Sequence, residues 1–475
     1  MRVGVEQGEP KDVAADLLAV GLAKGGELPP SVGAAAGADA AKAGFKKLSL
    51  LRPEGFPPTL VVGLGDRDEL DAEKLRVAAA LAAKEAKRLD ATSLAWALPE
   101  SGGAEAAAAL VTGTILAAYR FDRFKSKADD EAPGLESLTL LGAADVAEAV
   151  EAARIVAEAQ NRARDLQNTP ANVATPSFLA ARAEEIAAGF DSLAVEVLGR
   201  PDLERKGMGG LLAVSQGSAE EPKMIVLRYS GGSSASTLGL IGKGVTFDTG
   251  GISLKPGPGM QEMKMDMSGA AAVLETVAAI AELGLPLDVV AVCPSTENMP
   301  SGTAIKPGDV ITQYNGKTVE INNTDAEGRL ILADALAYAA ELGAERLVDI
   351  ATLTGAVEVA LGSTYAGLVA NDDELAAAVA RAGEATGELA WRLPLHPEYK
   401  ELMKGTVADL SNLGKKRKAG TITAASFLEE FVGEVPWAHL DIAGSAWDVG
   451  REYVGNGANG FGVRLLVELA RQSAS

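Results

Sequence analysis

Short apolar runs alternate with longer, Ala-rich, helix-periodic stretches along almost the whole chain, and this alternation limits the fold more than any other feature. Residues 59–64, 93–98 and 137–142 read as buried strands, with helical patterns at 72–88 and 104–119 between them. Strands spaced by helices predict an α/β domain with a partly parallel sheet. The Gly/Ala/Ser-rich stretch 31–44 reads as a mobile or helical surface segment. A charged helical pattern over 144–166 follows, and Pro170 stops it inside Asn168-Thr169-Pro170-Ala171-Asn172. The alternation then resumes, with strands at 194–198, 223–229, 237–243, 287–293 and 346–351 and helices at 176–188, 269–284 and 328–342. A chain of 475 residues exceeds one comfortable core. The expected organisation is a smaller N-terminal α/β domain over 1–145, a linker helix over 146–170, and a larger C-terminal domain over 171–475 with a mixed central sheet flanked by helices.

Charge and rare residues narrow the chemistry. Lys plus Arg is 44 and Asp plus Glu is 65, a net charge of −21. Such a chain repels phosphate backbones and anionic membranes, so nucleic acid is a disfavoured partner, while bound cations would relieve part of the excess. The one cysteine, Cys293, allows no intrachain disulfide, which fits a reducing compartment. It lies in an apolar run and reads as a buried, inert thiol. The N-terminus lacks a signal-peptide apolar region and no long uncharged apolar run exists, so no membrane span and a cytoplasmic location are expected. Only two histidines are present, His396 and His439. His439 sits in a strand-like apolar run and reads as structural; His396 reads as surface. A zinc site of the HExxH kind is absent. Any metal site must rely on carboxylates, with a lysine at most.

Three segments concentrate chemistry. In the first, the apolar strand before Gly242 runs into Lys243 and a glycine-punctuated turn that carries Asp248. Gly242-Lys243-Gly244 has neither the spacing nor the Ser/Thr of a phosphate-binding P-loop. A lone lysine at a strand end is ordinarily solvated, but the flanking glycines let other groups approach closely. The second segment holds Lys255 and then Asp266, just ahead of the helix expected from Gly269. Taken singly, Asp266 is a helix cap and Lys255 a surface residue. The third is Asn323-Thr324-Asp325-Ala326-Glu327-Gly328-Arg329-Leu330. Asp325 and Glu327 are two apart, so in an extended segment both point to one face. Like charges side by side are costly unless a cation lies between them. Arg329 stands in the first turn of the next helix, where acidic residues are preferred; with the free amide groups there it makes an anion site. The plain alternative is a solvated charge cluster.

Charge counting joins the pieces. If Asp248, Asp266, Asp325 and Glu327 converge, their −4 is untenable in a cleft without compensation. Two divalent ions supply +4, with Lys243 as an uncharged amine ligand held deprotonated by coordination. Lys255 and Arg329 then leave room for a bridging hydroxide and one small anion.

These motifs resemble the leucyl aminopeptidase (cytosol aminopeptidase) family of two-metal metallopeptidases. The resemblance rests on residues 242–257, 262–273, 297–309, 323–330, 349–356 and 419–428, of which 323–330 is the most specific. It covers most of 165–470 and is weak in the first domain. It implies that 171–475 is the catalytic domain of a cytoplasmic homohexamer. It implies an enzyme that releases N-terminal residues, leucine and other apolar ones, from peptides with a free N-terminus, by attack of a water bridging two metals. The implied metal ligands are Lys243, Asp248, Asp266, Asp325 and Glu327, with Asp248 and Glu327 bridging. Lys255 would be the catalytic lysine, and Arg329 would hold a bicarbonate serving as general base. Met263, Thr352, Gly355 and Ala443 align with substrate-pocket positions. Oxygen-rich ligation suits Mn²⁺, Mg²⁺ or Co²⁺ and permits Zn²⁺; the resemblance favours Mn²⁺ or Zn²⁺.

Two other readings compete. A DNA-binding regulator would use the basic run Lys415-Lys416-Arg417-Lys418, whose plain reading is a solvated or cleft-facing loop. A two-metal phosphatase would ordinarily recruit histidine or more arginine.

Overall fold

The computed structural model describes residues 1–99, 103–126, 134–142, 144–232, 236–415 and 418–474. The chain packs as two compact units: Met1–Asn161 with Gly450–Gly455, and Arg162–Val449 with Asn456–Ser475. It passes from the first to the second inside the helix Ala147–Asn168.

The first unit holds a six-stranded sheet built from β1 (Arg2–Glu6), β2 (Leu17–Ala23), β3 (Leu48–Leu51), β4 (Thr59–Gly65), β5 (Ser93–Ala97) and β6 (Ser137–Leu141), in the order β1-β6-β5-β2-β4-β3. All neighbours are parallel except β3 and β4. The helix Ala72–Arg88 begins where the pattern placed it, because Asp71 accepts a hydrogen bond from the Lys74 amide at 2.7 Å. The sequence patterning did not mark β1 to β3. β1 is short, lies at the sheet edge and has no buried residue. The stretch 31–44 contains the short helix Pro30–Gly33 and the single 3₁₀ turn Ala38–Ala40, and its end lies against β4. A Cβ on Gly63 would sit 2.1 Å from the Gly44 carbonyl oxygen.

The second unit carries β7 (Leu193–Leu198), β8 (Lys223–Ser230), β9 (Leu238–Gly242), β10 (Gly244–Asp248), β11 (Asp288–Asn298), β12 (Val310–Thr312), β13 (Thr318–Glu320), β14 (Arg346–Ala351), β15 (Ala366–Ala370), β16 (Ala390–Arg392), β17 (Leu410–Ser411) and β18 (Trp437–Asp441). The main sheet runs β16-β15-β18-β14-β9-β11-β8-β7, with β10 continuing beside the far end of β11. Its centre, β18-β14-β9-β11, is parallel, and antiparallel β15 and β8 flank it. The sheet is therefore mixed, as expected. The central strands are covered on both faces, which explains why β9 and β14 read as near-continuous apolar runs. β12, β13 and β17 form a separate small sheet.

Some buried polar groups of this unit pair with near neighbours in the sheet. His439 places Nδ1 2.6 Å from Asp349, which also accepts from the Trp437 indole at 2.7 Å; all three side chains are buried. His396 is exposed and caps the helix Pro397–Glu401. Cys293 is buried in β11, and burial pushes its thiol up to about 12. Among the described residues no helix is long and apolar enough to cross a membrane.

The helix Ser268–Leu283 is fixed at both ends. At its start backbones nearly touch: a Cβ on Gly269 would lie 2.1 Å from the Ile350 carbonyl oxygen, and one on Gly242 would lie 2.5 Å from that of Gly269. Further along, the fully buried Glu275 accepts from Arg162 Nε and Arg182 Nε, both at 2.7 Å. Glu275→Ala leaves two partly buried guanidinium groups facing each other. It should cost about 3 kcal/mol of stability, read as a lowered urea midpoint with the folded spectrum unchanged.

Candidate active site

The site forms where the parallel strands end, the usual place for a crevice in an open α/β sheet. Lys243 follows β9, Thr352 follows β14, and Asp248 closes β10. Lys243 is 2% exposed, far from the solvated state of an ordinary lysine. Its Nζ lies 2.8 Å from both Asp266 Oδ1 and Glu327 Oε1 and donates to the Thr352 carbonyl at 3.0 Å. Glycine makes room for it: a Cβ on Gly328 would lie 2.7 Å from both Cε and Nζ of Lys243.

Asp248 is held from both sides. Its Oδ1 accepts from the Gly250 amide at 2.9 Å and from Asn298 Nδ2 at 2.8 Å. Its Oδ2 lies 2.8 Å from Lys255 Nζ, which also pairs with Asp325. The turn that brings Lys255 back uses Gly250 and Gly251, with φ of +84° and +65°, a region costly for side-chain-bearing residues. Thr324 ties this turn to the next segment, donating to the Gly250 carbonyl at 2.6 Å and accepting from the Ser253 amide at 2.8 Å.

Asp325 and Glu327 are brought together differently from the sequence expectation. The segment is not extended. Asn323 turns it, accepting from the Asp325 amide at 3.0 Å through its side chain and from the Ala326 amide at 3.2 Å through its carbonyl. Glu327 is the residue at the head of the helix Gly328–Glu341 and is already helical in conformation. Asp248, Asp325 and Glu327 each still offer an oxygen within 4.8 Å of the others. Asp266 is not a helix cap either. It is the penultimate residue of the 3₁₀ helix Met260–Met267, and the helix Ser268–Leu283 has no capping side chain. Instead Asp266 Oδ1 accepts from Thr352 Oγ1 at 2.7 Å.

Electrostatics show a cluster short of positive charge. Burial raises the Asp266, Asp325 and Glu327 carboxyls above their usual range, and the nearby Asp248 charge adds to each shift. Burial disfavours the ammonium groups of Lys243 and Lys255, yet the surrounding carboxylates outweigh it and raise both. Asp266 Oδ2 and Glu327 Oε2 are buried without a hydrogen-bond partner. Unsatisfied buried carboxylate oxygens in an acidic cluster are what a divalent cation would satisfy, so the residues fit metal binding.

Arg329 completes the site. It is buried, donates from Nη1 to the Asn412 carbonyl at 2.9 Å, and leaves Nε without a partner. Burial lowers its pKa to about 10. Every residue that the sequence reading singled out for the site lines one cavity of about 410 Å³, Met263, Thr352, Gly355 and Ala443 included. The reading missed Asn298, Thr324 and Asn412. Asn412 is fully buried and holds the 322–326 loop, with Oδ1 accepting from the Asn322 amide at 2.8 Å and Nδ2 donating to the Asn323 carbonyl at 2.6 Å. The available signal was weak: two of the three sit inside quoted motifs as polar residues without an assigned chemistry. Of the basic run 415–418, Lys416 and Arg417 lie outside the described residues, while Lys418 lines a second cavity of about 310 Å³ beside Arg329.

A carboxylate-and-lysine cleft of this kind belongs to the metal-dependent hydrolases. The model of the cytosol aminopeptidase family's catalytic domain matches residues 161–467, and that of its N-terminal domain matches 41–128. A probable cytosol aminopeptidase of Roseiflexus castenholzii is 46% identical over 99% of both chains. One from a Geobacter species is 48% identical, over 87% of this chain and 85% of its own. Among solved structures, the bottromycin maturation enzyme BotP in complex with Mn superposes with a TM-score of 0.89 at 37% identity, covering 97% of this chain and 100% of its own. A mutant of tomato leucine aminopeptidase also gives 0.89, at 35% identity over 99% and 96%. The chain belongs to the cytosol aminopeptidase family. It is a hydrolase of peptides, a metal-dependent aminopeptidase.

Gly328→Ala would push Lys243 out of its slot. A misplacement of about 1 Å at a catalytic site costs about a hundredfold in turnover. The expected result is such a loss in aminopeptidase turnover with an unchanged circular-dichroism spectrum.

Proposed function

We propose that the enzyme releases leucine and other apolar residues from peptides with a free N-terminus, using two divalent ions held by Lys243, Asp248, Asp266, Asp325 and Glu327. The observation that carries this is the cluster itself: two buried carboxylate oxygens without a donor, on Asp266 and Glu327, and the raised carboxyl groups of Asp266, Asp325 and Glu327 call for more positive charge than two lysines provide. Asp248 and Glu327 would bridge the ions. Lys243 would ligate as the neutral amine, giving up the proton that it shares here with Asp266 and Glu327. Mn²⁺ or Zn²⁺ is the preferred occupant, with Mg²⁺ or Co²⁺ also compatible with the oxygen-rich set. When bound, the ions would supply a bridging, acidified water and a polarised carbonyl, and a bicarbonate on Arg329 a general base.

The chain's own groups do the rest. Lys255 stands at the mouth of the cluster, where its ammonium stabilises the charge that develops on the scissile oxygen. Arg329 keeps Nε open for a small anion. Met263, Thr352, Gly355 and Ala443 line the cavity with mostly small or apolar surface, which suits an aliphatic first side chain. A free α-amine completes the site's ligand set, so an acylated N-terminus is refused. A cytoplasmic homohexamer is the proposed form.

The decisive assay uses metal-stripped protein with Leu-p-nitroanilide and its N-acetyl form. Cleavage of the free-amine substrate alone, restored by Mn²⁺, is expected. A folded protein inert with Mn²⁺, Zn²⁺, Co²⁺ and Mg²⁺ would overturn the reading. Lys255→Ala and Asp325→Asn should each lower turnover by orders of magnitude with the fold intact; wild-type turnover in either would remove that residue from the mechanism.

A further inference from the structure

The main cavity holds one carboxylate that the metal cluster does not use. Among its lining residues Asp248, Asp266, Asp325 and Glu327 belong to the cluster, and Glu358 does not. Glu358 is exposed, and its side chain makes no hydrogen bond or ion pair among the described residues. The cations of the same lining are engaged elsewhere. Lys243 and Lys255 pair with the cluster carboxylates, and Arg329 donates to the Asn412 carbonyl.

Local structure sets Glu358 in the wall assigned above to the first side chain. The helix Gly355–Leu361 starts just after β14, and Thr354 caps it by accepting from the Val357 amide at 3.3 Å. Thr354 Oγ1 donates to the buried Asp441 at 2.6 Å, and Asp441 also accepts from the amides of Leu353 at 3.1 Å and Ala443 at 3.3 Å. One carboxylate thereby ties the segment from Thr352 to Gly355 to Ala443. Glu358 stands three residues after Gly355 on the helix, so the two share a face. A Cβ on Gly444 would lie 3.1 Å from Glu358 Cα and 2.3 Å from the Gly362 carbonyl oxygen, so the backbone beside Ala443 packs against the helix at Glu358. A Cβ on Gly355 would meet nothing within 4 Å, so the space over that face is open.

We infer that Glu358 is a specificity-determining residue that lets the pocket take lysine or arginine as the first residue, alongside apolar ones. This rests on the aminopeptidase reading above and extends the side chains that it admits. The methylene stem of such a residue lies along Met263, Thr352 and Ala443, and its charged end meets Glu358. An aspartate or glutamate in the same place faces a like charge and is disfavoured.

Lysine- and norleucine-p-nitroanilide differ by the ε-ammonium group alone. The test measures kcat/KM for both in Mn²⁺-loaded wild type, Glu358→Gln and Glu358→Lys. The ratio of the two substrates is read, so a general loss of activity cancels. Glu358→Gln should lower the lysine-to-norleucine ratio by about fivefold, as an ion pair at an exposed site provides, and Glu358→Lys should lower it further. Inhibition constants of free lysine and norleucine give the same ratio without turnover, and serve where a variant is inactive. A wild type that cuts the norleucine but not the lysine substrate overturns the assignment, as does a ratio unchanged in Glu358→Gln. Failure to cut either of them or Leu-p-nitroanilide would instead overturn the aminopeptidase reading.

Discussion

Four carboxylates and two lysines meet at the carboxyl ends of the central parallel strands, and much of the catalytic unit serves to hold them there. Removing such charges from water is costly unless each is paired and hydrogen-bonded. Here Lys243 sits between Asp266 and Glu327, and Lys255 between Asp248 and Asp325. The pairing is incomplete, since two buried carboxylate oxygens have no donor. A divalent cation would make up that shortfall.

Around the cluster, hydrogen bonds convert loops into a rigid frame. Asn298 reaches from the end of β11 to both Asp248 and the Thr324 carbonyl. Thr324 joins the Gly250–Ser253 turn to the loop bearing Asp325 and Glu327. Asn412 fixes that loop from the other side and takes the guanidinium of Arg329 on its carbonyl. None of these three carries a charge. Their buried amide and hydroxyl groups are matched to backbone donors and acceptors, which is how neutral residues can orient charged ones at low desolvation cost.

Close backbone approach is the second device. Gly242, Gly269 and Gly328 each occupy a place where a Cβ would meet backbone or the Lys243 side chain at under 3 Å. They let a strand end, a helix start and a buried lysine converge within one small volume. The sequence showed that the glycines flanking Lys243 allow a close approach, and the packed structure shows which groups each glycine makes room for.

The alternation of apolar and helical runs was enough to place β7, β8, β9, β11 and β14 and the helices Pro176–Ala188, Ser268–Leu283 and Gly328–Glu341, because central strands buried on both faces leave near-continuous apolar runs. The charged residues of the site were also legible, since locally unfavourable charges such as Lys243 and Arg329 demand partners. What the sequence could not supply was how they meet. Spacing suggested an extended Asp325–Glu327 segment and a capping Asp266, whereas an Asn323 turn and a bond from Thr352 determine their positions. The edge strand β1 and the excursion Gly450–Gly455 were equally invisible, for one depends on pairing with β6 and the other on packing with a distant part of the chain. Local sequence determines residue chemistry and periodicity. Partners remote along the chain decide orientation, because hydrogen bonds and packing act across space.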